Sequence, residues 1–522
     1  MKTNYTAINI GPIIKTLGMA RKPRELWAAS YLFSYLMKRI ISAVQYKGEI
    51  ISPATINETE KNEIGLYPDR VFVKDGELSF DNLQQVLKQF SNDLRLSSDY
   101  FNVMMVSGEY DKDSAAIKDL NTKLDRMELF NMAEPEETSD YVRKLIDNKQ
   151  SKLFEDAFDK GKMDVETLGE IAAVWFKKNY QKEWAEFKEA IRSEDSEIAE
   201  KAFDKLPKKE LKSYHKYICV VQADGDNVGG TVCHEKLPER KVKEISNALL
   251  EYGKKARKLI NEDFGGLTIY AGGDDLLFIA PVVGENGKNI FDLLNDLDNK
   301  AFEGVKEAVE SCKDENGKDL LDKRGKPLRA SLSFGVSITY YKYPLYEALA
   351  SARHLLFDKA KKVDGKNAVA VDWRKHSGSS FFMEWSNSKW PIKEEELNNT
   401  PGKPNKTQDN LFNNMITASS VKESVVSALA HKIRQSEGLI GLWSNSSDYE
   451  ERNRHFFEKN MDYEPDKDET RKDNSDKYKD AAKELMNALV EAGMTDASQL
   501  TQTMYGMLRV AKFINGEEVH DE

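Results

Sequence analysis

The feature that most constrains the fold is the order of strand-like and helix-like segments between residues 214 and 373. It opens with Tyr217 to Val221, a continuous apolar and β-branched run that is typical of a strand buried on both faces. The patterns that follow predict strands at 267–270, 276–283, 331–339 and 368–373, and helices at 236–263, 289–312 and 344–362. The order β-α-β-β-α-β, followed by α-β, predicts a ferredoxin-like domain with an added edge element.

Two acidic motifs flank this predicted sheet. Asp224, in the sequence ADGDN, comes directly after the first strand, and Asp274 and Asp275 end the sequence AGGDD between two predicted strands. The second motif is therefore expected in a hairpin turn. Because the first strand and this hairpin lie side by side in a β-α-β-β unit, we expect the three carboxylates to share one small volume.

Three carboxylates in one volume raise one another's pKa unless a cation lies among them. Oxygen ligands without histidine or thiolate favour Mg²⁺ or Mn²⁺. Two such ions, about 4 Å apart, activate an attacking hydroxyl and stabilise a departing pyrophosphate. Each motif alone is also typical of an ordinary surface turn. Together, at this spacing, they predict a two-metal site formed by Asp224, Asp274 and Asp275.

Residues around the acidic motifs are candidates for nucleotide binding. Gly272 and Gly273 permit positive φ and leave room for a nucleotide beside the backbone. Gly225 and the segment that begins at Asn227 offer backbone N–H groups to phosphate oxygens.

The sequence VDGKN carries further candidates at the end of the third predicted helix. The lysines in and just before this sequence are either triphosphate contacts or cations at a solvated helix terminus; they are Lys361, Lys362 and Lys366. We interpret His354, on the same helix, as a packed or surface histidine and not as a base.

The rest of the chain predicts four further regions. Residues 5–10 form a predicted strand that Gly11-Pro12 ends, 23–44 a helix and 101–106 a strand, whereas 112–205 read as charged helices. Polar, Pro- and Gly-containing residues after 373 predict a linker, and the C-terminal region is helical apart from a charged stretch at 462–479. The predicted domains are 1–111, a helical connector at 112–213, the acidic domain at 214–375, a linker at 376–407 and a helical domain at 408–522.

Composition excludes several classes of protein. The net charge of −11 argues against strong autonomous binding of nucleic acid, although partner subunits can supply positive charge. The chain has three scattered cysteines, too few for a disulfide framework or a four-cysteine zinc site. No apolar run approaches the roughly 18 residues of a membrane span, and no signal peptide is evident, so a cytoplasmic location is expected.

Three stretches resemble the large polymerase–cyclase subunit of type III CRISPR RNA-guided effector complexes, in the Cmr (III-B) branch. They are IYAGGDDLLFIAP, VVQADGDNVGG and the N-terminal IGPIIKTLGMARKPRELWAASYLFSYL. The stretch YEALASARHLLFDKAKKVDGKNAV is also similar to diguanylate cyclases, which share the palm fold. The resemblance implies an α+β chain of two ferredoxin-like, nucleotide-cyclase-like palm domains, the first degenerate, with a helical connector and a helical C-terminal domain.

The resemblance also implies an activity and its partners. Other Cmr-type subunits, guide RNA and target RNA would assemble with the chain, and target pairing would switch on synthesis of an adenylate second messenger from ATP. By this resemblance Asp224, Asp274 and Asp275 bind Mg²⁺ or Mn²⁺, and Gly272 and Gly273 shape the nucleotide pocket. The first of the seven histidines is His215. The family's HD nuclease domain, and with it autonomous DNA cleavage, is therefore not expected, and neither is its zinc ribbon.

Several alternatives remain open from the sequence. The product is a cyclic oligoadenylate or, alternatively, a conjugate of AMP with S-adenosylmethionine as co-substrate. Ser30 and Asp69 of the first palm are candidates for that acceptor pocket, with a structural role favoured for both. A non-catalytic scaffold of the RNA-guided complex, a free-standing diguanylate cyclase and a templated polymerase are the other readings, and the intact acidic triad argues against the scaffold.

Overall fold

A computed structural model describes residues 2–45, 47–55, 65–75, 79–94, 100–130, 165–314, 316–322, 325–386, 408–460 and 469–516. None of the helices in these ranges combines the length and apolar character that a membrane crossing needs. The described chain forms two β-sheets with helices packed against them and a helical C-terminal region.

The first sheet belongs to the N-terminal domain and is antiparallel, with the order β2-β3-β1-β4. Its elements are β1 (Thr3–Gly11), α1 (Ile13–Gly18), α2 (Pro23–Val44), β2 (Glu49–Ser52), β3 (Arg70–Lys74), α3 (Phe80–Leu94) and β4 (Asn102–Tyr110). This is the ferredoxin-like order that the family resemblance implied for a first palm. The predicted helix 23–44 is confirmed, whereas the short strands β2 and β3 were missed because their segment is rich in loop-forming residues.

The helices of the predicted connector fall into two groups. The first, α4 (Asp113–Phe130), packs on the first sheet, where Tyr5 Oη donates to Asp113 Oδ1 at 2.8 Å. This helix therefore extends the first palm beyond its predicted end at residue 111. The second group comprises α5 (Leu168–Ala172), α6 (Trp175–Asn179), α7 (Gln181–Ile191) and α8 (Ser196–Glu200). Residues 131–164 of the predicted connector lie outside the described residues.

The second sheet has the order β10-β9-β8-β5-β7-β6, with only β8 and β9 parallel. Its central part, β8-β5-β7-β6, repeats the order of the first sheet, and the predicted β-α-β-β-α-β domain is confirmed. The elements are β5 (Tyr217–Asp226), α9 (Val228–Val232), α10 (Glu239–Arg257), β6 (Leu267–Gly272), β7 (Asp275–Pro281), α11 (Ile290–Asp296), α12 (Glu303–Glu310), β8 (Ser331–Tyr340), α13 (Leu345–His354), β9 (Ala368–Arg374) and β10 (Ser380–Ser386).

Strand β10 contradicts part of the predicted linker at 376–407. Its apolar residues Phe381, Met383 and Trp385 alternate along the strand and are buried, and Glu384 and Ser386 are buried as well, so most of the strand is covered. The neighbouring serines and glycine hid this alternation in the sequence. Residues 387–407 of the predicted linker lie outside the described residues.

The C-terminal region is helical, as predicted. Its helices are α14 (Gln408–Ala418), α15 (Glu423–Gln435), α16 (Glu437–Gly441), α17 (Tyr449–Asn460), α18 (Glu469–Glu491) and α19 (Ala497–Asn515). The predicted break at 462–479 is wrong from Glu469 onward, because α18 begins there. Helix α19 lies directly on β10: a Cβ added to Gly506 would lie 2.4 Å from the Phe382 carbonyl oxygen. The helical region is thus packed against the edge of the second sheet.

The two palms meet at the outer edge of β6. The Ala271 N–H donates to the Gly65 carbonyl at 2.9 Å, so a segment of the first palm extends this edge of the second sheet. A Cβ on Gly65 would lie 2.5 Å from Ser30 Oγ and 3.2 Å from the Tyr270 ring. The absence of a side chain at Gly65 therefore permits the close contact of the two domains beside the AGGDD turn.

Candidate metal and nucleotide site

Pairing of β5 with β7 brings the two acidic motifs together, as the sequence predicted. The pair Ala223–Leu276 precedes the motifs, and beyond it the Gly225 N–H donates to the Asp274 carbonyl at 3.2 Å. A Cβ on Gly225 would lie 2.7 Å from the Asp274 Cβ atom. Glycine at this position therefore lets the end of β5 approach the hairpin turn closely.

The AGGDD segment forms the expected hairpin turn. Gly272 pairs with Asp275, which leaves Gly273 and Asp274 as the two residues of the loop, and Gly273 has φ of +65°. A Cβ on Gly272 would lie 2.5 Å from the Tyr270 hydroxyl. Space around Gly273, by contrast, is open. The turn thus combines a backbone that favours glycine with an unobstructed approach from solvent.

The acidic side chains of the site carry raised pKa values. Burial, with repulsion from Asp224, raises the pKa of Asp274 to about 6. Burial and then the charges of Asp274 and Asp224 raise that of Asp275. The Asp275 residue is exposed to solvent. The burial that raises its pKa comes from the protein atoms that surround its carboxyl group. For both acids burial is the larger cause, and repulsion between the acids adds to it.

The donor chemistry of the site fits a hard divalent cation. In the part of the chain that the structure describes, however, there is no group of three His, Cys, Asp or Glu side chains arranged as ligands of one metal ion. Asp224 and Asp274 are neighbours in the structure. A third carboxylate does not approach them more closely because, without a cation, the three negative charges repel one another. Since Mg²⁺ commonly binds one or two carboxylates together with substrate phosphates, two adjoining acids and an accessible third suit it.

One lysine of the VDGKN region reaches the acids. Lys361 Nζ lies 3.0 Å from Asp224 Oδ2 and 2.7 Å from Asp226 Oδ1. Burial opposes its charge, but Asp226 and Asp224 outweigh burial and raise the pKa of Lys361. Lys366 is near enough to lower the pKa of Asp224, whereas Lys362 is exposed. Of the lysines considered, Lys361 is thus the one in contact with the acidic motifs.

Other predicted residues have structural partners. The Asn227 side chain donates from Nδ2 to the Arg329 carbonyl at 2.8 Å, and its backbone has φ of 64°. Its amide therefore holds the loop before β8. His354 is exposed, with Nδ1 2.9 Å from Asp358 Oδ2, which confirms it as a surface residue.

Sequence reasoning assigned no role to three residues beside the acids. Tyr252 is buried, and its hydroxyl has no hydrogen-bond partner in the part of the chain that the structure describes. Burial, followed by the charges of Asp274 and Asp275, raises its pKa. The Tyr270 hydroxyl lies against Gly272, and Asp226 is fully buried at the end of β5. Only Asp226 had a signal in the sequence, because residues two apart on a strand share a face and Asp224 was already a candidate.

The first palm places Asp69 near this group. The charge of Asp69 contributes to the raised pKa of both Asp275 and Tyr270. Ser30 is buried at the contact between the palms, and its hydroxyl has no hydrogen-bond partner among the described residues. Both candidates of the acceptor pocket therefore lie at the side of the site that the first palm forms.

Two family models match the chain. The model of Cas10/Cmr2, second palm domain, matches residues 217–370, and that of CRISPR-associated protein Cmr2, N-terminal, matches residues 5–94. By these matches the chain is similar to Cas10/Cmr2 proteins in both palm domains. The matched ranges include both acidic motifs, Lys361 and Lys366 in the second palm, and Ser30 and Asp69 in the first.

Individual proteins and solved structures are similar to the chain as well. The CRISPR system Cmr subunit Cmr2 of Pyrococcus furiosus is 32% identical over 200 residues, which cover 33% of this chain and 20% of that protein. Two cryo-EM structures of type III-B Cmr-beta, one apo and one bound to cognate target RNA, give TM-scores of 0.51 and 0.53. Each is 11% identical, and the alignments cover 88% of this chain and 77% and 78% of those chains. At this identity the likeness shows a shared fold.

Proposed function

We propose that this chain is a divalent-metal-dependent nucleotidyltransferase that makes an adenylate second messenger from ATP within a type III-B RNA-guided complex. The observation that carries this proposal is the backbone hydrogen bond from the Gly225 N–H, next to Asp224, to the Asp274 carbonyl, beside an exposed Asp275 and an open turn. The match of residues 217–370 to the second palm domain of Cas10/Cmr2 supports this palm as the domain that carries the chemistry.

The proposed reaction joins two molecules of ATP. The ribose 3′-hydroxyl of one would give its proton to solvent and attack the α-phosphate of the other, so that a new phosphodiester bond forms while pyrophosphate leaves with the electrons of the broken P–O bond. Repeated transfer and ring closure give a cyclic oligoadenylate. A bound divalent cation supplies Lewis-acid stabilisation of the developing negative charge.

The residues of the chain have distinct tasks in this proposal. Asp224, Asp274 and Asp275 hold Mg²⁺ or Mn²⁺, and their raised pKa values reflect the charge that such a cation neutralises. Gly273 leaves the space that the nucleotide occupies. Lys366 adds positive charge at the same side of the sheet and so favours the triphosphate.

We further propose that the chain acts with other Cmr-type subunits, guide RNA and target RNA. The similar protein of Pyrococcus furiosus is named as a subunit of a Cmr system, and one of the similar structures is bound to target RNA. The net charge of −11 fits this arrangement, because partner subunits would then supply most of the positive charge that RNA requires.

Product analysis by mass spectrometry tests the proposed function. The assembled complex is incubated with target RNA, ATP and Mg²⁺ or Mn²⁺, with and without S-adenosylmethionine, and the same reactions are run with a complex carrying Asp274→Ala and Asp275→Ala. We expect cyclic oligoadenylate from ATP alone in the wild type and none in the variant.

Other products would redirect the proposal. A product that appears only with S-adenosylmethionine would replace the oligoadenylate by an AMP conjugate and would leave the metal site in place. If no new nucleotide formed in any wild-type reaction, the chain would be a scaffold of the complex. Equal turnover by the variant would remove the acidic residues from the reaction.

A further inference from the structure

The second acid of the ADGDN motif is bound on all sides by protein. Asp226 is 0% exposed. Its Oδ1 accepts a hydrogen bond from Lys361 Nζ at 2.7 Å, and its Oδ2 accepts from Ser331 Oγ at 2.8 Å, Ser333 Oγ at 2.8 Å and the Asn367 N–H at 2.9 Å. With both oxygens engaged in this way, Asp226 is not a ligand for a metal ion or a substrate.

Lys361 connects this buried acid to the proposed metal ligand. Its ammonium group lies within hydrogen-bond distance of the carbonyl oxygens of Asp224, at 2.9 Å, and Gly225, at 3.0 Å, besides the two carboxylates. An ammonium group has three N–H donors. The two carbonyls and Asp226 are sufficient to satisfy them, so Lys361 can remain in place when the Asp224 carboxylate binds another cation.

Asp226 also fixes the loop that follows Lys361. Gly365, Lys366 and Asn367 have φ values of 85°, 55° and 48°, so three successive residues are left-handed and two of them carry side chains. Such strain persists only where surrounding contacts hold it. The bond from the Asn367 N–H to Asp226 and a 2.6 Å bond from Ser386 Oγ to the Lys366 carbonyl hold this loop. Asp226 therefore anchors both cations that lie near Asp224.

We propose that Asp226 is a positioning residue that keeps Lys361 at the site as the resident counter-cation of Asp224, and that a divalent metal ion displaces Lys361 from the Asp224 carboxylate alone. The inference rests on the proposed function. Before the metal ion binds, Lys361 neutralises Asp224. After it binds, Lys361 stays on Asp226 and the carbonyls, with its charge beside the metal ion, where it favours a triphosphate.

The inference predicts effects of opposite sign on metal binding. Lys361→Met removes the cation that competes for Asp224, so Mn²⁺ should bind about 10-fold more tightly, a conservative figure for two charges about 4 Å apart. Asp226→Asn leaves Lys361 with Asp224 as its remaining carboxylate, so Mn²⁺ should bind about 10-fold more weakly. In Lys361→Met the KM for ATP should rise even as the affinity for Mn²⁺ increases.

The experiment measures Mn²⁺ binding to the assembled complex without nucleotide, by electron paramagnetic resonance, for the wild type and each variant. The double variant Asp226→Asn with Lys361→Met removes both members of the buried Asp226–Lys361 pair together and should therefore fold, and it should bind Mn²⁺ as tightly as Lys361→Met does. Asp298 and Lys306 supply a matched control. They form a similar pair at 2.7 Å in which Asp298 also accepts from the Leu332 N–H at 3.0 Å. Asp298→Asn and Lys306→Met should leave Mn²⁺ affinity at the wild-type value.

Each outcome decides a separate question. Tighter binding in Lys361→Met and in the double variant, with weaker binding in Asp226→Asn, supports the counter-cation role. Changes of the same sign, or no change, in a wild type that does bind Mn²⁺ would overturn that role and leave the proposed function intact. A wild type that bound no Mn²⁺ would overturn the proposed metal dependence and the counter-cation role with it.

Discussion

In the first palm Asn9 pairs with Arg70 across strands β1 and β3. In the second palm the register of β5 and β7 runs as far as Ala223–Leu276, and its continuation by one residue places Asp224 opposite Asp275. The next residues agree as well. The Ile10 N–H donates to the Asp69 carbonyl at 3.0 Å, as the Gly225 N–H does to Asp274 at 3.2 Å. The strand ends of the two palms are therefore equivalent position by position, and at the three positions that are acidic in the second palm the first palm carries only one acid, Asp69.

The two palms differ in how these positions are satisfied. In the first, Arg70 bonds to Asn121 at 2.8 Å, Asp125 at 2.7 Å and Glu128 at 2.9 Å, all on helix α4. The positive charge lies on the strand and the negative charges lie on the helix, so they neutralise each other. In the second palm the acids lie on the strand side, and burial together with repulsion between the acids raises the pKa values of Asp274 and Asp275. One fold thus supports a closed ion network and an open acidic site.

The largest expected effect separates the palms by chemistry. Asp274→Ala with Asp275→Ala should lower product formation at least about 1000-fold, because metal ions stabilise transition-state charge by several kcal/mol. The measurement is nucleotide product per assembled complex by mass spectrometry. Assembly itself, followed by size-exclusion chromatography, should not change; a variant with full turnover would make the two palms equivalent in chemistry as well.

The next largest effect compares how tightly the fourth strand of each palm is packed, β8 in the second palm and β4 in the first. A Cβ on Gly335 of β8 would lie 2.2 Å from the Ala352 carbonyl and 2.4 Å from the Leu356 N atom, both backbone atoms of the helical segment above it. Gly335→Ala should therefore cost about 3 kcal/mol in the free energy of unfolding. At Gly108 of β4 the nearest atom is the Tyr110 hydroxyl, 2.6 Å away at the end of a side chain. Gly108→Ala should cost less than about 1 kcal/mol, because that side chain can move.

Chemical denaturation of both variants measures this difference. Equal losses would mean that the helix over β8 yields as easily as a tyrosine side chain, and that the second palm is no more tightly packed than the first.

A smaller effect tests the closed ion network of the first palm. Arg70→Gln removes its bonds to Asp125 and Glu128 and should cost about 1–2 kcal/mol, since the arginine is only partly exposed but both acids are well solvated. The exposed pair of Arg39 and Asp93, at 2.8 Å, is the control, and Arg39→Gln should cost less than about 0.5 kcal/mol. Urea unfolding provides both values. Product formation per folded complex should be unchanged in Arg70→Gln; a large loss of turnover would give the first palm a catalytic part.

The smallest effect is the pH dependence of the metal-free protein. The pKa of Asp274 is about 6 in the folded chain, against 3.8 ordinarily, so between these values the folded state binds more protons than the unfolded state. Its contribution to stability is complete below about pH 4 and is lost as pH rises through about 6. Relative to Asp274→Asn, the Tm of the wild type should fall by about 2–4 °C over this interval. Parallel curves for the two proteins, recorded in chelator by calorimetry, would show that Asp274 is ionised throughout.

The sequence by itself determined those features that depend on local pattern. The apolar run before Asp224 specified a strand buried on both faces, and the helical period of residues 23–44 specified α2. The two glycines of AGGDD specified a tight turn because only a few residues adopt positive φ without cost. The order of these elements then placed the two acidic motifs at one end of one sheet.

Tertiary structure alone decided which lysine meets the acids. Lys361 and Lys362 are neighbours, and their directions depend on the helical phase at the end of α13. A π-helical turn at Leu355–Lys359 and a 3₁₀ turn at Ala360–Lys362 shift that phase away from 3.6 residues per turn. Tertiary structure also decided that Asp226 is unavailable to a metal ion. The residues that bind its carboxylate are all more than 100 residues away in the chain; they are Ser331, Ser333, Lys361 and Asn367. Local pattern cannot encode such partners; only the pairing of distant strands brings them to one carboxylate.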